Sequence, residues 1–112
     1  MNGIHAAMIW CPFGSRTDAE SVARQLLADR LVACANILPA VTSIFAWNGE
    51  VQTADEVAVL FKTDGARLDR ATARLAELHP YDTPAIAGWM SDSTPQVTGA
   101  WLEEVLGEGG EG

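Results

Sequence analysis

The chain predicts an α+β fold of the split-βαβ, ferredoxin-like type, ordered β-α-β-β-α-β with one further C-terminal helix. Three observations carry that reading. Short apolar segments rich in Val, Ile and aromatic residues alternate with segments whose apolar residues recur every three or four positions. An Asn48-Gly49 pair separates two strand-like segments. The length of 112 residues fits one domain, taken as residues 1–106. The Gly- and Glu-rich tail at 107–112 has nothing to bury and is expected to be disordered.

Taken in order, His5 to Cys11 is a mostly apolar run that Pro12 and Gly14 end, as a buried strand followed by a turn. Thr17 and Glu20 form a capping box, and Ala19, Val22, Ala23, Leu26 and Leu27 follow at helical spacing, predicting a helix from about Thr17 to Asp29. Leu31 to Trp47 reads as a long strand bent at Pro39. Proline cannot donate to a ladder, so this strand lies at an edge or is bulged there. Asn48-Gly49 then turns the chain back into a third strand, best defined over Glu56 to Thr63, whose continuous apolar run suggests cover on both faces.

Leu68, Ala71, Leu75 and Leu78 alternate with Arg67, Arg70, Arg74 and Glu77, as an amphipathic helix requires. It ends at His79-Pro80, because the residue before proline is disfavoured in the helical region. Pro84 to Met90 reads as the fourth strand. Thr94-Pro95 supplies an N-cap and a first-turn proline for a last helix that carries Val97, Trp101 and Val105 on one side. The topology implies the sheet order 4-1-3-2. Strands one and two are then roughly 9–10 Å apart at about 4.8 Å per spacing. A disulfide between Cys11 and Cys34 needs Cα atoms within about 7 Å, so none is expected.

Seven Lys and Arg against fifteen Asp and Glu give a formal charge of −8, and no basic patch gathers to oppose it, which argues against nucleic-acid binding. No apolar run is long enough to span a membrane, and the first residues lack the pattern of an export signal, so a cytoplasmic location is expected. Two cysteines are too sparse for a disulfide framework. Four tryptophans, Trp10, Trp47, Trp89 and Trp101, should serve as core or subunit-contact residues. So small a domain buries only part of its surface, which makes self-association reasonable.

Signatures of nucleotide, metal-hydrolase and nucleophile-elbow chemistry are absent, and the only histidines are His5 and His79, so an enzyme is not expected. Cys34, in a strand, reads either as a small packed residue or as a soft-metal ligand. Cys11 has the same two readings, and its place at a strand end favours exposure. His79, at a helix end, either caps the helix or acts beside Tyr81 and Asp82. One chain offers at most two Cys and two His, so a metal would be held weakly, in an open site, or jointly by several subunits. Lys62 can meet an anion or extend to water. Trp47, before the hairpin turn, can pack within the chain or against a neighbouring subunit.

The run LVACANILPAVTSIFAWNGE, then DEVAVLFKT, then LHPYDTPAI, resembles the CutA family, the divalent-cation tolerance proteins. The resemblance is carried by Ala33-Cys34-x-Asn36, Pro39, Trp47-x-Gly49, Glu56, Lys62-Thr63 and His79-Pro80-Tyr81, in that order. It implies a ferredoxin-like homotrimer similar to the PII signalling proteins, with the long second and third strands making much of the contact between subunits. It implies copper or another divalent cation as a ligand, without an obligatory cofactor, and points to Cys34, His79 and Cys11 as metal residues. Trp47, Lys62 and Tyr81 match positions near the clefts between subunits. The chain departs from the family pattern at Pro12-Phe13-Gly14, at Phe45 and at Thr98, the latter two where tyrosine is common. Three function classes follow: a cytoplasmic copper or divalent-cation tolerance trimer, a PII-like trimer that binds a small anion or a protein partner in its clefts, and a trimeric scaffold.

Overall fold

The alternation of apolar and polar residues along the first strand places Ala7, Ile9, Cys11 and Phe13 on one face, and all four are fully buried. The computed structural model describes residues 4–107. Its elements are β1 (Ala6–Phe13), α1 (Arg16–Ala28), β2 (Cys34–Trp47), β3 (Glu50–Asp64), α2 (Leu68–Leu78), β4 (Ala87–Met90) and α3 (Gln96–Leu106). The strands form one antiparallel sheet in the order β2-β3-β1-β4, as the split-βαβ topology requires. The expectation for the tail lies outside the described residues, except at Gly107, which caps α3.

Helices α1 and α2 cover one face of the sheet. Ala19, Val22, Ala23 and Leu26 of α1 and Ala71 and Leu75 of α2 meet Ile9, Cys11, Phe13, Val59 and Phe61 in the main core. Each large side chain fully buried there contributes about 1.5–3 kcal/mol. On the opposite face, cross-strand pairing lines up Cys34, Lys62, Met8 and Trp89 in one row and Asn36, Leu60, Trp10 and Ala87 in the next. Helix α3 lies at one end of this face, beside Met8 and Lys62. Its Gly99 comes so close to the Ile4 carbonyl that a Cβ would stand 3.1 Å away. None of the four tryptophans is buried, so within the chain they are not core residues.

Beyond Val57, β3 no longer pairs with β1, and Val41–Trp47 and Glu50–Glu56 pair only with each other. They form a projecting two-stranded arm in a molecule 49 Å along its longest axis. The ladder shifts register between Leu38 and Val41, so the bend expected at Pro39 is a bulge on an edge strand. At the arm's tip Asn48 and Gly49 take φ of 51° and 78°, the positive values a type I′ turn needs. This turn zips the polar stretch after it into β3, which therefore starts at Glu50, ahead of the best-defined part at Glu56–Thr63.

Two caps differ from expectation. Ser15, not Thr17, caps α1, its hydroxyl accepting the Asp18 N–H at 3.1 Å. Glu20 is thereby free to pair with Arg16 at 2.7 Å. Thr94 does not cap α3, because its hydroxyl accepts the Ala6 N–H at 3.0 Å and secures the start of β1. The helix begins after Pro95 without a side-chain cap. The fourth strand is also shorter than Pro84–Met90, since only Ala87–Met90 reaches β1.

Arg67, expected on the polar side of α2, is 2 % exposed. Its guanidinium pairs with Asp64 at 2.7 Å and donates to the carbonyls of Leu106 and Gly107. It thus answers the unpaired carbonyls at the end of α3 and ties that helix to the β3–α2 corner.

Candidate functional site

Pro80 forces His79 out of the helical region, to φ −70° and ψ 137°, and turns its ring back toward the end of β1. The imidazole stacks on Phe13 with centroids 4.3 Å apart. Nε2 lies 2.9 Å from the Pro12 carbonyl oxygen, and Nδ1 accepts the Tyr81 N–H at 3.1 Å. A carbonyl only accepts and an amide N–H only donates, so the partners assign the proton to Nε2 and leave neither nitrogen free. His79 is buried and holds the loop after α2 against β1.

That anchorage fixes Tyr81. Its ring tilts against His79 at a centroid distance of 4.7 Å, and its hydroxyl donates to Glu56 Oε2 at 2.9 Å. Gly14 makes room for it, since a Cβ there would stand 2.9 Å from the hydroxyl. Loss of solvent and the bond to Glu56 push the phenol up to about 12. Between this loop and the arm lies an open groove of about 630 Å³, with Phe45 and Trp47 on the arm side, Tyr81 and Asp82 on the loop side, and Glu56 in its wall.

The six residues singled out from the sequence separate into several places. Trp47 and Tyr81 share the groove. Lys62 does not line it: six residues from Glu56 along β3, it is about 20 Å away. It borders instead a hollow of about 250 Å³ with Ser91, Ser93, Thr94 and Thr98. Cys11 is fully buried, against the expectation of exposure, because β1 continues to Phe13 and turns the thiol into the core. Burial, with the charge of Glu56, pushes that thiol up to about 12.

Cys34 is half-buried on the other face of the sheet, with Sγ 3.5 Å from Asn36 Oδ1. Both thiols are free, and their opposite faces preclude a bond between them. Cys34, His79 and Cys11 therefore do not converge, and among the described residues no three His, Cys, Asp or Glu side chains are placed to hold a metal ion. The described donors of one chain do not make a closed metal centre.

Sequence reasoning did not single out Asp82 or Phe45 as groove residues, nor Arg67 as a staple. Phe45 shares the alternating arm face with Trp47, a visible signal. Asp82 was visible only as a neighbour of Tyr81 and Arg67 only as a polar-side residue of α2, because their roles depend on where a loop and a helix end dock.

Residues 7–105 match the model of the family described as CutA1 divalent ion tolerance protein. The divalent-cation tolerance protein CutA of Thermus thermophilus is 36% identical over 89 residues, covering 80% of this chain and 86% of that one. The crystal structure of the divalent ion tolerance protein CutA1 from Ehrlichia chaffeensis superposes with a TM-score of 0.87 at 28% identity, over 92% of this chain and 96% of that one. The periplasmic divalent cation tolerance protein CutA of Archaeoglobus fulgidus gives 0.84 at 28%, over 90% and 98%.

Proposed function

The chain belongs to the CutA1 divalent ion tolerance family, and from that footing we propose that it is a homotrimeric binding protein for tolerance to copper or other divalent cations, contacting metal weakly and chiefly through Cys34. The observation that carries this reading is the distribution of accessible donors. Cys34 is the thiol that is not locked in the core, whereas Cys11 is buried and both nitrogens of His79 have partners. A soft sulfur ligand with only the Asn36 amide oxygen beside it gives an open, weak site, or one that neighbouring copies complete. Titration of the reduced protein with Cu(I) should give weak binding that Cys34→Ala abolishes and His79→Ala leaves in place at equal folded fraction. Unchanged binding by Cys34→Ala overturns it.

The trimeric part of the proposal is supported by apolar surface the chain leaves uncovered. Trp89 is 45% exposed on the open sheet face, and Ile44 and Val51 are 70% and 77% exposed on the arm. A two-stranded ribbon is marginal alone, so a neighbour that covers it would stabilise it. Two free thiols fit a reducing, cytoplasmic compartment. Binding rather than catalysis is supported by the same geometry, since neither Cys11 nor His79 is free to act as nucleophile or base.

A second reading rests on Lys62. Lys62 lines a hollow with the hydroxyl residues Ser93, Thr94 and Thr98, a polar set suited to a small anion, while the Ser91 hydroxyl there donates to the Ser93 carbonyl. A thermal shift with phosphate or a nucleotide that disappears in Lys62→Ala supports it, and the same shift in the variant counts against it.

A further inference from the structure

The groove between the arm and the loop after α2 has a chemistry that neither metal nor anion binding uses. Three aromatic rings, Phe45, Trp47 and Tyr81, line it, and Trp47 is 51% exposed. Among the described residues its charged lining consists of the carboxylates Glu56 and Asp82, without Lys, Arg or His. The Tyr81 hydroxyl holds Glu56 Oε2, which orients the carboxylate and leaves its second oxygen available. A hydrated divalent cation finds too few oxygen ligands here, with one carboxylate already engaged and apolar rings for walls. An anion meets two like charges.

We propose that this groove is a binding site for an organic ammonium ion, a small molecule with a cationic nitrogen on an apolar body. Aromatic rings attract a cation through the negative side of their quadrupoles and can cover an apolar body, while Glu56 and Asp82 would neutralise the charge. A volume of about 630 Å³ lies in the range of small-molecule sites. The rigid parts favour the fit: His79 anchors the loop, and Gly14 leaves room for the Tyr81 hydroxyl that reaches Glu56. The proposal is independent of Cys34 and of any metal.

The test is calorimetric titration of the intact protein at neutral pH with phenethylammonium, with phenethyl alcohol as neutral isostere and hydrocinnamate as anion. The ammonium should bind at least about tenfold more tightly than the alcohol, as a combined cation–π and carboxylate contact allows. The anion should not bind. Glu56→Gln and Trp47→Ala should each weaken the ammonium by about tenfold, whereas Arg24→Ala, on the exposed side of α1, should leave it unchanged. Equal binding of ammonium and alcohol overturns the proposal by showing a merely apolar groove. An absence of ammonium binding overturns it as well, and a Trp47 then shielded from acrylamide in the native assembly would show that a second copy of the chain fills the groove.

Discussion

At the scale of single residues, the two thiols make the sharpest contrast. Cys11 is fully buried with its ionisation pushed up to about 12, and Cys34 is half-buried on the other face of the sheet. In the native protein at mild alkaline pH, Cys34 should react with iodoacetamide while Cys11 reacts only on unfolding, as mass mapping of alkylated peptides would show. Fast native labelling of Cys11 would contradict the buried placement. The same shift sets a pH dependence. The unfolded chain loses this proton near 9.0 and the folded chain only near 12, so stability is full below 9.0 and falls as pH rises through that window. Tyr81 acts in the same direction between 10.0 and about 12, discounted for its exposure. Denaturant midpoints measured across this range should fall, and less steeply in Cys11→Ala.

Residue identity made part of the site legible. Cys34, His79, Trp47, Lys62 and Tyr81 stand out as chemistry-bearing types, but type does not say what a side chain touches. The imidazole of His79 is held by Pro12 and Tyr81, and the first of these contacts needs β1 and the end of α2 to meet across 67 positions of sequence.

At the scale of elements, strand and helix order follow from apolar periodicity and one Asn-Gly turn, because both are local. Ends were less legible. Ser15 outcompetes Thr17 for the start of α1, and Thr94 is committed to the Ala6 N–H. The end of α1 closes with Arg30 at φ 58°, its N–H donating to the Leu27 carbonyl at 3.0 Å and Leu31 N–H to that of Leu26 at 3.0 Å. This is a Schellman cap with a non-glycine residue in the left-handed region. Arg30→Gly should therefore raise stability by about 1 kcal/mol, read as a higher denaturation midpoint. At the same end of the sheet, where the Thr63 hydroxyl donates to the Leu31 carbonyl, Arg67→Ala should cost about 3–5 kcal/mol, because it leaves Asp64 buried without its partner. Arg67→Ala together with Asp64→Ala should cost less than the two single changes summed. Additive losses would mean that the pair is not coupled.

At the scale of the whole molecule, uncovered apolar surface decides the account. The tryptophans expected as core or contact residues are all outside the core, the arm shows Ile44 and Val51 to solvent, and α3 carries Val97, Trp101 and Val105 on its outer side. Topology was legible because strand pairing order follows from element order. Which apolar faces the fold leaves uncovered was not, since a strand buried on both faces and one left open on a face can have the same composition.

Native mass spectrometry of the reduced protein, with and without copper and zinc and repeated for Cys34→Ala, tests the central claim most directly. The account predicts a trimer that takes up metal weakly and loses it in the variant. A monomer, or a trimer whose Cys34→Ala form keeps stoichiometric metal, would contradict it.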